Sequence, residues 1–196
     1  MEGSDAVAVA QACAGDADAF RALVDRYSRR IFRLAYRMTA NEQDAEDVVQ
    51  ETFLRAYRRL AQFESRANFG TWVFRIAVNA ALDLMRKRQR HEQRPSAAGS
   101  DSEQMPSLSS SDPAPDRLVF SAEVKQRVAS VLAGLTATER TAFVLRHFEG
   151  MSIEEIGDVL GLRESATKNT VFRAVQKLRK QLEPLVGCSG RTRSTY

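Results

Sequence analysis

The sequence predicts an all-α chain: two small helical domains joined by a flexible linker. Three observations carry that prediction. Apolar residues recur every three or four positions over long stretches, beginning with Phe20 to Met38. Two capping boxes, Thr136 with Glu139 and Ser152 with Glu155, mark helix starts in the second half. Between the halves, residues 91–118 hold most of the prolines, much of the serine and almost no large apolar side chain. At 196 residues the chain has room for two small cores. The net charge is +4, and the parts to 90 and from 119 are basic while the tract between them is acidic. That distribution suits two modules that face nucleic acid, separated by a spacer.

Taken in order, residues 1–16 are small and weakly patterned and read as a tail that frays. Residues 17–90 form the first domain. Along its opening helix Phe20, Leu23, Val24, Tyr27, Ile31, Leu34, Ala35 and Met38 recur every three or four residues, while Arg26, Arg29, Arg30, Arg33 and Arg37 occupy the other faces. Asn41 caps the next helix, and Glu42, Asp44, Glu46 and Asp47 complement its N-terminal dipole. Val49, Phe53, Ala56 and Leu60 make the buried stripe there. Asp47, Glu51, Arg55 and Arg58 face outward beside Gln50 and Leu54. An exposed leucine among charges reads as a docking surface for another protein or as a lone surface apolar residue. Asp44, Asp47 and Glu51 admit a metal site as an alternative, although dipole complementarity already accounts for acids in a first turn.

Phe63 to Gly70 breaks the helical pattern. Thr71 then caps a helix to about Arg90, with Val73, Ile76, Ala77, Ala80 and Leu84 inward. Its outer stripe is Trp72, Arg75, Asn79, Asp83, Arg86 and Arg90, beside a loop carrying Phe63, Asn68 and Phe69. Aromatic, basic and amide groups alternating along one edge suit stacking on unpaired bases and pairing with phosphates. The alternative is that Phe69 and Trp72 pack inward and only the arginines meet water.

The linker of about 27 residues reaches about 90 Å fully extended, at roughly 3.3 Å each, and averages about 30 Å as a coil. That covers one to two turns of duplex at about 34–36 Å per turn. Residues 119–186 form the second domain. Phe120, Val124, Val128, Val131 and Leu135 pattern its first helix. Thr136 opens a second helix that ends at Gly150 and offers Phe143, Leu145 and Phe148 to pack beneath the next helix pair.

Met151 to Leu182 reads as a helix-turn-helix. Ile153, Ile156 and Leu160 form one face, Gly157 leaves room for a neighbour, and Gly161 takes the positive φ that ends the short helix. Ser165 caps the longer helix, in which Val171, Val175, Leu178 and Leu182 point inward. Asn169, Arg173, Gln176 and Lys180 form the opposite stripe, flanked by Lys168 and Lys177. From Arg163 to Lys180 there are six Lys/Arg against the single acid Glu164. Those donors and charges suit phosphates and base edges in a major groove; an αα-hairpin with a solvated basic face is the plain alternative. Residues 187–196 read as a disordered tail.

Cys13 and Cys188 lie far apart without a neighbouring Cys or His at metal-ligand spacing, which excludes a zinc site and a disulfide framework from this reading. The N-terminus lacks the pattern of a signal peptide, and the most apolar helix is interrupted by Arg75, Asn79 and Asp83. The expected compartment is the cytoplasm, with no metal or cofactor.

With both modules in view, the chain resembles a bacterial sigma factor of the extracytoplasmic-function type. DAEDVVQETFLRAYR (44–58) is similar to region 2.2 of that family and FESRANFGTWVFRIAVNAALDLMRKR (63–88) to regions 2.3 and 2.4. LTATERTAFVLRHFEGMSIEEIGDVLG (135–161) with the helix after it is similar to region 4. The resemblance implies that Asp47, Gln50, Glu51, Leu54 and Arg55 dock on the clamp helices of the largest catalytic subunit of RNA polymerase. It implies that Phe63, Asn68, Phe69, Trp72, Arg75, Asn79, Asp83 and Arg86 hold the minus-10 element, with a base flipped into the loop. Arg163, Ser165, Lys168, Asn169, Phe172, Arg173, Gln176 and Lys177 would read the minus-35 element as duplex. An anti-sigma factor is a further implied partner, and no catalysis is implied. Thr170 and Val175 stand where the family usually has arginines, which implies fewer phosphate or guanine contacts. A stand-alone helix-turn-helix regulator and a metal-dependent nucleic-acid enzyme are the competing readings.

Overall fold

The computed structural model describes residues 2–63, 68–92, 130–132 and 134–186, and every regular element among them is helical. The expected linker beyond residue 92, the helix positions Phe120, Val124 and Val128, Cys188 and the C-terminal tail lie outside the described residues.

The first helix corrects the expected tail. α1 (Glu2–Cys13) packs on the next helix and on the turn at Leu60–Gln62, burying Ala8, Val9 and Ala12. Alanines give little apolar contrast, so no periodicity shows; their small size is what lets two helices approach closely. α2 (Ala17–Thr39) is capped by Asp16, whose carboxylate accepts from the backbone N–H of Asp18 and Ala19. It buries Leu23, Tyr27, Ile31, Leu34 and Met38 as expected and ends at Ala40, a non-glycine residue at φ 55°.

α3 (Glu42–Arg59) starts at the predicted cap, with Asn41 accepting from the Asp44 N–H at 2.9 Å. Its buried face is Ala45, Val48, Thr52, Phe53 and Ala56, rotated from the expected stripe so that Val49 is only partly covered. Contact with helices on both sides widens the buried arc. α4 (Phe69–Glu92) begins before Thr71: Asn68 accepts from the Gly70 N–H at 2.7 Å, leaving Thr71 inside the first turn. α4 also carries an unforeseen second buried stripe, Phe74, Val78 and Ala81.

That second stripe exists because the other domain covers it. α5 (Ala137–His147) and α6 (Ile153–Leu160) open with the two predicted capping boxes, both reciprocal, and α6 ends at Gly161 with φ 66°. α7 (Glu164–Val186) begins one residue before the expected cap Ser165. α6 lies on α4 and α5 meets α2. One apolar cluster therefore runs from Leu23 and Phe74 to Leu145 and Ile156, while Leu132, Leu135, Ala174 and Leu178 form a smaller one under Phe143.

Polar contacts stitch the seam between the domains. Arg30 pairs with Glu149 at 3.0 Å and Arg140 donates to the Met38 carbonyl at 2.6 Å. Phe148, expected beneath the helix-turn-helix, is instead half exposed with the Arg37 guanidinium 4.1 Å from its ring centroid. α5 stops at His147, so Phe148 has left the helix face that Leu145 occupies.

Candidate nucleic-acid interface

Gly157 sets the approach of α6 and α7, since a Cβ there would stand 2.9 Å from the Leu162 carbonyl oxygen. The close turn swings the polar side of α7 into solvent. Arg163, Ser165, Lys168, Asn169, Phe172, Arg173, Gln176 and Lys177 are all exposed. Phe172 stands out at 62% exposed amid donors. The buried face differs from the expectation: Thr167, Thr170, Ala174 and Leu178 are buried, Val171 and Val175 are partly covered, and Leu182 is exposed. Thr170 donates its hydroxyl to the Ala166 carbonyl at 2.7 Å. The departure at 170 therefore lies on the inward face and removes no group from the outer stripe.

Not every cation on that stripe is available in the same way. Lys168 pairs with Glu164 at 2.5 Å, an exposed contact that holds the Glu164 carboxyl below its ordinary value. Lys177 donates to Glu139 at 2.7 Å. Glu139 is the nearly buried carboxylate of the α5 capping box, and the Lys177 hydrogen bond lowers its pKa against the opposing effect of burial. Lys177 thus also braces α7 against α5 while its side chain stays 46% exposed. Among the described residues Arg163 and Arg173 form no ion pair.

A second exposed face lies along α4. Arg75, Asn79 and Arg86 point outward as expected. Trp72 is half buried, its ring centroid 5.0 Å from Phe63 and 5.6 Å from Phe69. Phe69 is 4% exposed and sits edge-on to Tyr27 at 5.5 Å, so it is the floor of this aromatic cluster and presents no open ring. The apolar cost of exposing a phenyl ring beside a core decides its place. Phe63 and Trp72 keep partial exposure above it. Asn68 spends its side-chain oxygen on the α4 start.

The third face is a groove between α3 and α4. Every residue expected to dock on polymerase, Asp47, Gln50, Glu51, Leu54 and Arg55, lines it, and Leu54 is 47% exposed at its edge. Asp83 lines it too, lying 3.9 Å from Arg55, which in turn pairs with Glu51 at 2.5 Å. Asp83 therefore stands where the groove meets the outer edge of α4, since it also pairs with Arg86 of that edge at 3.4 Å. Leu84 and Lys87 also line the groove and were not foreseen. Each stands four residues after another groove residue, Leu84 after Ala80 and Lys87 after Asp83, and that spacing is the signal that places them there. The competing carboxylate cluster does not assemble. Asp44 is engaged by Arg88, and burial pushes its carboxyl up despite that cation. Among the described residues no three His, Cys, Asp or Glu side chains are grouped to hold a metal.

Comparison with known proteins supplies the context for these three faces. The profile of Sigma-70 region 2 matches residues 23–91 and that of Sigma-70 region 4 matches residues 125–178. The chain is 35% identical over 173 residues to the ECF RNA polymerase sigma factor SigW of Bacillus subtilis, covering 87% of this chain and 92% of SigW. It is 33% identical over 174 residues to the RNA polymerase sigma-H factor of Pseudomonas aeruginosa, covering 88% and 90%. Among solved structures, CnrH in complex with the cytosolic domain of CnrY superposes with a TM-score of 0.70 at 31% identity, over 92% of this chain and 98% of that one. The sigma factor RpoE in complex with the anti-sigma factor NepR from Bartonella quintana gives a TM-score of 0.64 at 26% identity, over 84% and 96%.

Proposed function

Because the chain belongs to the sigma-70 family of RNA polymerase sigma factors, in its extracytoplasmic-function branch, we propose that its three faces divide the work of initiation among them. The protein is a transcription-initiation factor and not an enzyme. The groove of Asp47, Gln50, Glu51, Leu54 and Arg55 docks on the clamp helices of core polymerase. Arg163 and the outer stripe of α7, from Ser165 to Gln176, read the minus-35 element as duplex. Phe63 and Trp72, with Arg75, Asn79 and Arg86, capture the minus-10 element as a single strand. Residues 17–90 and 119–186 act as the corresponding modules, and the protein works in the cytoplasm. An anti-sigma factor is a further partner, a reading supported by the complexes that the solved relatives form.

One observation carries the proposal most of the way. A single helix, α4, bears the aromatic and basic edge on one side and forms a wall of the α3–α4 groove on the other. Docking the groove therefore fixes the orientation of the edge that meets DNA. A stand-alone regulator has no use for that coupling.

Capture of a flipped base costs a few kcal/mol of unstacking, which ring stacking and edge hydrogen bonds offset. Trp72→Ala or Asn79→Ala is expected to leave duplex minus-35 binding in place and to reduce permanganate reactivity of the melted strand. Unchanged melting would remove this edge from the mechanism. Glu51→Lys reverses charge in the groove and is expected to weaken association with core polymerase; full association would remove the groove.

A further inference from the structure

The aromatic cluster on α4 does not stand alone; it is the top of a chain of contacts that begins on α1. The Tyr27 hydroxyl donates to Asp5 Oδ2 at 2.5 Å, and the other oxygen of that carboxylate pairs with Arg26. Asp5 is 13% exposed and Tyr27 is 5% exposed, so this is a shielded, charge-assisted hydrogen bond. Burial holds the Tyr27 phenol above its ordinary pKa, which keeps it a donor. The Tyr27 ring meets Phe69 edge-on at 5.5 Å, and Phe69 meets Trp72 at 5.6 Å and Phe63 at 5.8 Å.

A second observation fixes the same point from above. A Cβ on Gly70 would stand 3.1 Å from the Tyr27 hydroxyl and 3.0 Å from Asn68 Oδ1. The first turn of α4 therefore rests directly on the hydroxyl that Asp5 holds. A side chain there would press both oxygens closer than ordinary contact and push them aside.

We propose that Asp5 is a positioning residue for strand capture: by holding the Tyr27 hydroxyl it sets the height and tilt of the Phe69 floor, and through it the Phe63 and Trp72 rings that stack on the flipped base. This rests on the reading of that cluster as the minus-10 pocket. Preorganisation is the reason it matters, because rings that must reorder on binding stack less effectively than rings already in place. α1 is thereby a working part of the first module, although it lies before the matched region 2 at 23–91.

The test uses the full chain with core polymerase and a linear promoter. Asp5→Ala and Tyr27→Phe are each expected to slow open-complex formation about tenfold by permanganate footprinting, with duplex minus-35 binding within about twofold of the parent, a tenfold change corresponding to about 1.4 kcal/mol. Trp72 is the single tryptophan of the chain, so in the chain without polymerase its emission reports on the pocket directly and is expected to shift in both variants. The double variant should be no worse than either single one, and Asp5→Glu should recover part of the rate. A normal rate or unshifted emission in Tyr27→Phe, which keeps the buried ring and so the fold, overturns the proposal, as does additivity in the double variant. Trp72→Ala separates the layers: if it melts DNA poorly while Asp5→Ala and Tyr27→Phe melt it normally, the positioning role falls and the pocket stands. If Trp72→Ala itself melts DNA normally, the pocket falls and the proposal with it.

Discussion

Arg173 stands in the middle of the outer stripe of α7, flanked by Asn169 and Phe172 and without an ion-pair partner among the described residues. In the proposed function this guanidinium either reads guanine through two parallel hydrogen bonds or holds a phosphate. Arg173→Ala should cost about 1–3 kcal/mol and relax specificity at one position in the first case, or lower the salt slope by about one in the second; titrations at several salt concentrations tell them apart. Glu139 gives a test by pH. Its carboxyl is held below the ordinary glutamate value, first by the Lys177 hydrogen bond, so the folded state takes up the proton less readily than the unfolded chain. Its stabilisation is full above about pH 4.3 and is lost as pH falls through the lowered folded value. Urea denaturation at stepped pH should show that acid loss in the parent and a flatter limb in Glu139→Gln. The outward polar stripes are well read from the sequence at this scale, because hydrophobic periodicity reports which side meets water, while Leu182, expected inward, is exposed and Thr170 is buried. Partnership is not: nothing in the spacing tells that Lys177 reaches Glu139 across 38 positions, or that Phe69 goes under Trp72 and not beside it.

Elements with reciprocal local signals are legible in full. The capping boxes at Thr136 and Ser152, the Asn41 cap and the Gly161 stop each depend on residues a few positions apart, and each forms as the sequence implies. α1 is not legible, because its hold on the fold comes from a close approach of Ala8, Val9 and Ala12 and from the distant Tyr27 hydroxyl. The second stripe of α4 is hidden for a related reason. Phe74, Val78 and Ala81 are apolar on a helix that already has one inner face, and only the arrival of α6 gives them a partner. The helix-turn-helix offers a prediction of its own. Gly157→Ala would set a Cβ 2.9 Å from a backbone oxygen, which cannot rotate away as a side chain can. The strain should cost about 1–3 kcal/mol, visible as a lower thermal midpoint and weaker duplex binding; an unchanged midpoint would mean that α6 and α7 shift apart freely.

The molecule as a whole is more closely joined than its composition suggests. A long polar linker implies independent modules, yet one apolar cluster crosses from the first to the second. The seam has a weak point that can be probed. Glu149 has a side chain only 3% exposed, and its ion-pair partner Arg30 reaches it from the partly exposed flank of α2. Arg30→Met leaves that carboxylate short of a donor at a cost of about 1–3 kcal/mol. The expected result is a looser seam, read as a fall in energy transfer between dyes placed on α2 and α7; unchanged transfer would mean that apolar contact alone holds the domains together. Binding to polymerase and promoter is expected to open the same seam, since the proposed function assigns the α7 stripe and the α4 edge to separate DNA elements. The central claim concerns what the intact chain does with the transcribing enzyme. Run-off transcription with purified core polymerase over a library of promoter fragments measures that directly. The predicted result is a set of discrete start sites that appear only when the chain is added and vanish in Glu51→Lys. Transcripts with the same start sites whether or not the chain is present would contradict it.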